Sequence, residues 1–131
     1  MVPLDSELLK KQKRFTKLVG ELIAWAYQQD GYELTFGEVL RLRWVAEVYH
    51  NQGKGSLNSL HVKSLAIDLN LFVNGVYRKD SEAYKPLGDY WKSLDPDARW
   101  GGDFKRWDER EGKFIPKPDG NHFSLEFEGV K

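Results

Sequence analysis

The sequence predicts an α+β fold: a single domain over residues 1–131 in which a small antiparallel sheet is flanked by helices. Three observations carry this. A chain of 131 residues, 40% hydrophobic and holding five Trp, six Tyr and seven Phe, can fill one core but is too short for two ordinary domains. Apolar residues recur at helical spacing over residues 5–29, and they alternate strictly over residues 65–72. The alternating stretch then runs into Asn74-Gly75, a pair that suits the two positive-φ positions of a tight hairpin.

Taken in order, Leu8, Phe15, Leu18, Leu22 and Trp25 mark one face of a first helix. Asp5 or Ser6 can cap it, and Asp30-Gly31 ends it. Its basic cluster, Lys10, Lys11, Lys13, Arg14 and Lys17, reads first as a solvated face and second as a patch for polyanions. Residues 32–41 hold β-favouring types in partial alternation and predict a strand ending near Arg41, followed by a helix over 42–51 and a Gly-rich loop. His50, at the end of that helix, is suited to meeting the last carbonyls. Leu65, Ile67, Leu69 and Leu71 form one face of the central strand, and Ala66, Asp68, Asn70 and Phe72 the other. The return strand includes Val76 and Tyr77. A helix over 81–94 begins near Pro86, a first-turn residue, and presents Leu87, Tyr90, Trp91 and Leu94. Trp100-Gly101-Gly102 predicts a sharp turn, residues 103–118 a charged surface flap, and residues 122–127 a last alternating strand after the turn Asp119-Gly120-Asn121. Trp25, Trp44 and Trp91 are expected in the core, whereas Trp100 is a candidate wall of a substrate cleft.

Composition excludes several functions. With no cysteine, disulfide scaffolds, thiolate nucleophiles and Cys-ligated metal sites are ruled out, so any metal must be held by carboxylates and the three histidines. Twenty basic against twenty acidic residues argue against bulk nucleic acid or an anionic membrane as the main partner. No apolar run reaches membrane-span length, and the first residues lack the pattern of a secretory signal, so a chain made as a soluble cytoplasmic protein is expected.

The chemistry-bearing residues are few. Asp68 lies on the polar face of an otherwise apolar strand, where an unpaired buried charge costs several kcal/mol, on the order of the penalty for breaking a buried ion pair. His61 precedes it by seven residues, and His122 opens the last strand three residues after Asp119. Two imidazoles and a carboxylate form a ligand set for catalytic zinc, with a further carboxylate to take a proton. Each spacing by itself is more often that of a surface histidine and a hydrogen-bonded aspartate.

The segment Ser59-Leu-His61-Val-Lys-Ser64-Leu-Ala-Ile-Asp68-Leu69 resembles the Ser-x-His-x2-Gly-x-Ala-x-Asp-Leu motif of the zinc-dependent D-Ala-D-Ala carboxypeptidase and L-alanyl-D-glutamate peptidase family. Trp100-Gly-Gly and Asp119-Gly-Asn-His122-Phe-Ser resemble the phage endolysin branch, as do Lys85-Pro-Leu-Gly and Tyr90-Trp91 between them. The resemblance spans about residues 31–131, and Ser64 stands where the family has glycine. It implies a hedgehog/D-Ala-D-Ala-peptidase-like fold, with residues 1–30 as an N-terminal helix and 31–131 as the catalytic core.

By position, the resemblance makes His61, Asp68 and His122 ligands of one Zn2+ and Asp119 the catalytic base. Arg41, with Arg43 as the competing choice, takes the place of an arginine that binds substrate or polarises its carbonyl, and Ser59 that of a substrate contact. The implied function is hydrolysis of the L-alanyl-D-glutamate bond in peptidoglycan stem peptides for host cell lysis, by a monomer without membrane insertion. A separate holin-type protein would then give it access to the wall or periplasm. A D-Ala-D-Ala carboxypeptidase or dipeptidase uses the same chemistry, and a non-catalytic cell-wall-binding module is the reading from another class.

Overall fold

The computed structural model describes residues 6–53 and 59–131, apart from the side chains of Arg43, Trp44 and Ala46. The element order begins with α1 (Glu7–Tyr27), β1 (Tyr32–Phe36), α2 (Arg43–Asn51), β2 (Ala66–Val73) and β3 (Val76–Arg78). A 3-10 turn at Ser81–Tyr84 leads into α3 (Lys85–Leu94), and β4 (Ala98–Trp100) is followed by a second 3-10 turn, Gly101–Asp103. The chain ends with β5 (Lys105–Asp108), β6 (Lys113–Pro116) and β7 (His122–Leu125). The α+β class, the antiparallel sheet and the flanking helices are as the sequence predicts.

The main sheet runs β1-β2-β7-β4, antiparallel throughout, with β3 paired to the end of β2. The central alternating strand therefore lies between two others. α1 starts on Ser6, whose Oγ accepts from Leu9 N at 3.1 Å, and buries Phe15, Leu18, Leu22 and Ala26. These pack with Leu87 and Trp91 of α3 and with Ile67, Leu69, Leu71, Phe123 and Leu125 of the sheet in one core. The Trp91 indole N–H is shared between the carbonyls of Arg99 and Ser124, at 3.0 and 3.1 Å, which ties α3 to β4 and β7. Trp25 is half-buried and stacks on Tyr90, while Trp44 has its side chain outside the described residues.

Three features depart from the sequence reading, and the first is β4 (Ala98–Trp100), which no periodicity announces. The strand from residue 32 stops at Phe36 instead of near Arg41, because Gly37 and Glu38 together oppose the single residue Asp68. Gly37 N donates to Asp68 O at 2.8 Å, and Asp68 N donates to Glu38 O at 2.7 Å, which is a β-bulge. Residues 103–118 carry a hairpin of their own, β5 with β6, closed at its base by Lys117 N donating to Phe104 O at 2.8 Å.

The basic cluster of α1 is partly consumed internally. Lys11 pairs with Asp97 at 2.9 Å and donates to Glu126 O, and Arg14 reaches both Asp95 and Asp97. His50 sits in the last turn of α2. No helix among the described residues is long and apolar enough to cross a membrane.

Candidate metal centre

β2 and β7 bring the first pair of functional side chains together. In their register Asp68 lies directly opposite His122, and the backbone N–H and C=O of Asp68 both face the bulge on the other side. The two residues thus form a non-hydrogen-bonded cross-strand pair, the kind in which side chains on one face sit closest. His61 arrives from the turn before β2. Ser59 Oγ accepts from His61 N at 3.2 Å, Ser64 N donates to His61 O, and Leu65 N donates to Leu60 O, which winds the turn tightly with Leu60 and Leu65 buried beneath it. Ser64 has φ +56°, the left-handed conformation that glycine adopts without a Cβ penalty.

Asp68 Oδ1 lies 3.3 Å from His61 Nε2 and 3.3 Å from His122 Nδ1. The imidazoles, 3% and 7% exposed, meet edge to face with centroids 5.1 Å apart. Yet Asp68 Oδ1, His61 Nδ1 and His122 Nε2 are buried atoms without a hydrogen-bond partner. Unpaired buried polar atoms are costly and rare, and three in one cluster call for an explanation. Geometry supplies one for Asp68 Oδ1, since the edge of a tetrahedron built on metal–ligand bonds of about 2.0–2.1 Å is about 3.3–3.4 Å, the separation of this oxygen from His61 Nε2 and from His122 Nδ1. The three residues offer ligand atoms all within 4.8 Å of one another, and two imidazoles with one carboxylate fit a divalent cation that prefers nitrogen and oxygen donors. Burial by itself pushes the Asp68 carboxyl up, but the facing His122 and His61 outweigh it and hold the group at about 2, so it is an anion at ordinary pH.

The turn that carries Asp119 is built into the same place. Asp119 N donates to Gly101 O at 2.8 Å, His122 N donates to Asp119 O at 3.1 Å, and Gly120 N donates to Ser81 Oγ at 2.9 Å. A Cβ on Gly101 would stand 2.0 Å from the Asp119 carbonyl oxygen, so the backbone approach requires glycine there. Asp119 as a residue is exposed at the rim of the cluster. Desolvation of its carboxyl raises its pKa above the ordinary carboxylate value against the pull of His122, and the neighbouring Asp68 charge adds to the rise. A cavity of about 300 Å3 adjoins this rim, lined by Tyr77, Lys79, Ser81, Asp119 and Asn121 among others.

His61 and Asp68 from one stretch of sequence therefore converge with Asp119 and His122 from another, some fifty residues on. Ser59 is in the site's turn, with its hydroxyl engaged by His61 N. Arg41 lies close by, its backbone N donating to His61 O at 3.1 Å, but its guanidinium is taken up by Glu38 and sits over the Tyr49 ring. The side chain of Arg43 lies outside the described residues. Trp100 requires a correction. It is 6% exposed rather than lining a cleft, because glycines at 88 and 102 leave room for its ring and its indole N–H donates to Gly120 O at 2.7 Å. It fixes the turn that carries Asp119 and His122. Two neighbours went unread in the sequence: Glu38, with Oε1 3.7 Å from His61 Nδ1, and Phe104, its ring 5.3 Å from His122. A glycine inside a strand pattern, Gly37, was the available sign of the bulge that turns Glu38 toward the site.

Comparison with known proteins agrees with this geometry. Residues 52–110, a little under half of the chain, match a family model described as D-alanyl-D-alanine carboxypeptidase. The matched segment contains Ser59, His61 and Asp68 and ends before Asp119 and His122, which the fold brings back to them. Among solved structures the chain is similar to the Serratia marcescens L-Ala D-Glu endopeptidase ChiX, with a TM-score of 0.67 at 16% identity, covering 96% of this chain and 91% of that one. No curated protein matches the sequence. Residues 52–110 are thus similar to the D-alanyl-D-alanine carboxypeptidase family, and the chain takes a fold similar to that of an L-Ala D-Glu endopeptidase.

Proposed function

We propose that the protein is a zinc-dependent peptidoglycan endopeptidase that cleaves the L-alanyl-D-glutamate bond of cell-wall stem peptides and serves as a phage endolysin. The observation that carries the hydrolase reading is the cluster of His61, Asp68 and His122 around an otherwise unpartnered Asp68 oxygen, with Asp119 on the turn that leads to His122. Bound there, zinc would supply Lewis acidity toward a peptide carbonyl and acidify water. Asp119, with a raised pKa and a place at the rim of the cluster, is suited to take the proton of the attacking water and to deliver it to the leaving amine. The adjoining cavity is the proposed bed for the peptide. Lys79 has no carboxylate partner among the described residues and is its candidate contact for an acidic stem residue. In this reading Ser59 and Trp100 act on the site through the backbone they hold, and Arg41 acts through Glu38.

The likeness to an L-Ala D-Glu endopeptidase favours that bond, and the description of the matching family favours a second reading, removal of a terminal D-Ala. Mass spectrometry of muropeptides released by the zinc-loaded protein separates them, with a chelated control. Fragments bearing a new D-glutamate amino terminus are expected. Loss of single D-Ala residues would establish the carboxypeptidase, and a zinc-loaded protein that binds walls but releases nothing would establish a binding module. Lysis from within, aided by a holin-type partner, is tested by expressing the chain with and without such a partner.

A further inference from the structure

We infer that Glu38, held by Arg41, is a positioning residue for His61, setting which imidazole nitrogen carries the proton and so which one is presented to a metal. The inference rests on the metal-site reading above and adds to it a group outside the ligand set. His61 uses its Nε2 edge toward Asp68, so its Nδ1 edge points the other way, buried and without a hydrogen-bond partner. Glu38 Oε1 is the carboxylate oxygen on that side, at 3.7 Å. A shift of about 1 Å brings this contact to hydrogen-bond length.

The backbone explains why a glutamate is there at all. In an unbroken strand residue 37 alone would oppose Asp68. The bulge places Gly37 and Glu38 opposite it together, and a bulge re-aims the side chains that follow. A Cβ on Gly37 would stand 3.0 Å from the Asp68 Cβ, so the crowded position of the bulge is occupied by the residue without one. Glu38 is then immobilised. Arg41 Nε donates to its Oε1 at 2.7 Å, Nη2 lies 2.5 Å from the same oxygen, and the guanidinium is packed over Tyr49 with its centre 5.1 Å from the ring centroid. The backbone N–H of Arg41 also donates to His61 O, so the clamp and the imidazole share one anchor.

If Glu38 were only the surface partner of Arg41 three residues on, His61 Nδ1 would stay a buried nitrogen with nothing opposite it. If instead Nδ1 carries the proton toward Glu38, the lone pair of neutral His61 lies on Nε2, the atom 3.3 Å from Asp68 Oδ1. Carboxylates behind metal-binding imidazoles act in this way, and their removal weakens metal binding by about 10–100-fold. Arg41 then has a function without touching substrate, since it fixes the carboxylate that fixes the imidazole.

The test uses the full-length chain with Glu38→Ala, Glu38→Gln and Arg41→Met. Long-range 1H–15N spectra of the metal-free protein report the His61 tautomer, and chelator competition reports Zn2+ affinity. Expected are a larger Nδ1–H share in the wild type than in Glu38→Ala, where the proton shifts toward Nε2 and the facing Asp68, with zinc bound there about 10–100-fold more weakly, and a smaller loss in Glu38→Gln, which keeps an acceptor oxygen. Arg41→Met should fall between. An unchanged tautomer together with zinc affinity within twofold of wild type in Glu38→Ala overturns the inference. Should Glu38→Ala fail to fold by circular dichroism, Glu38→Gln and Arg41→Met decide it by the same two readouts. If the wild type binds no zinc more tightly than a His61→Ala control, the metal-site reading fails instead, and the tautomer still shows whether Glu38 governs His61.

Discussion

Single residues in the turn before β2 and in the turn before β7 decide whether the site exists. Ser64 sits at φ +56° where the family motif has glycine. A left-handed backbone costs a non-glycine residue about 1–2 kcal/mol, part of which glycine returns through its freer unfolded chain. Ser64→Gly is therefore expected to stabilise the protein by about 1 kcal/mol, raising the thermal midpoint by about 3 °C in calorimetry. A destabilised variant would mean that the serine side chain contributes something no contact accounts for. Asp119 tests the chemistry. Asp119→Asn keeps size and turn geometry but cannot accept a proton, so kcat should fall by about 10²–10⁴-fold while zinc affinity stays near wild type. Full activity in that variant would overturn the proposal that Asp119 is the base.

At the scale of elements, the β5–β6 hairpin and the main sheet behave as separate structures. The hairpin pairs only with itself, exposes Trp107 and Phe114 at 52% and 63%, and leaves and rejoins the fold at adjacent points, Phe104 and Lys117. Replacing residues 105–116 by a short Gly-Ser turn should leave the thermal midpoint within a few degrees of wild type. Collapse of the fold would show that the hairpin supports the site through Phe104. The sequence marked this stretch as a surface excursion from its charge and Pro content. It did not reveal the two strands, because each is only four residues long and their pairing is with each other rather than with an apolar core. β4, three residues long, was missed for the same reason: there is no periodicity to read in Ala98–Trp100. The longer elements were legible, with α1, β2 and the Asn74-Gly75 turn all found where spacing and turn chemistry put them. Asn74 and Gly75 take φ +52° and +80°.

Across the whole molecule, titrating groups that fasten one part to another set the pH range of stability. Tyr84 is 2% exposed, its hydroxyl accepting from Leu71 N and donating to Arg78 O at the junction of β2 and β3. Burial raises its pKa above 10.0, so the protonated form is favoured by folding. Its contribution is complete below the unfolded value and is lost as pH rises from about 10 toward the folded one. Tyr84→Phe should cost about 2–3 kcal/mol at pH 7, by leaving two buried backbone groups unpaired, and should flatten the alkaline limb of a denaturation series. On the acid side, Lys11 holds Asp97 below its ordinary value, so that link is present above the unfolded carboxylate pKa and fades as pH falls below it. The sequence by itself determined the α+β class, the long elements and the absence of thiol chemistry, because periodicity and residue type are local properties, and it marked His61, Asp68, Asp119 and His122 as candidates through a motif resemblance. Only the tertiary structure decided that Asp68 and His122 face each other across two strands, that Trp100 is buried under the turn carrying Asp119, and that Glu38 stands behind His61. Those facts depend on register and on one bulge, and register is set by which distant strand a segment meets rather than by its own residues.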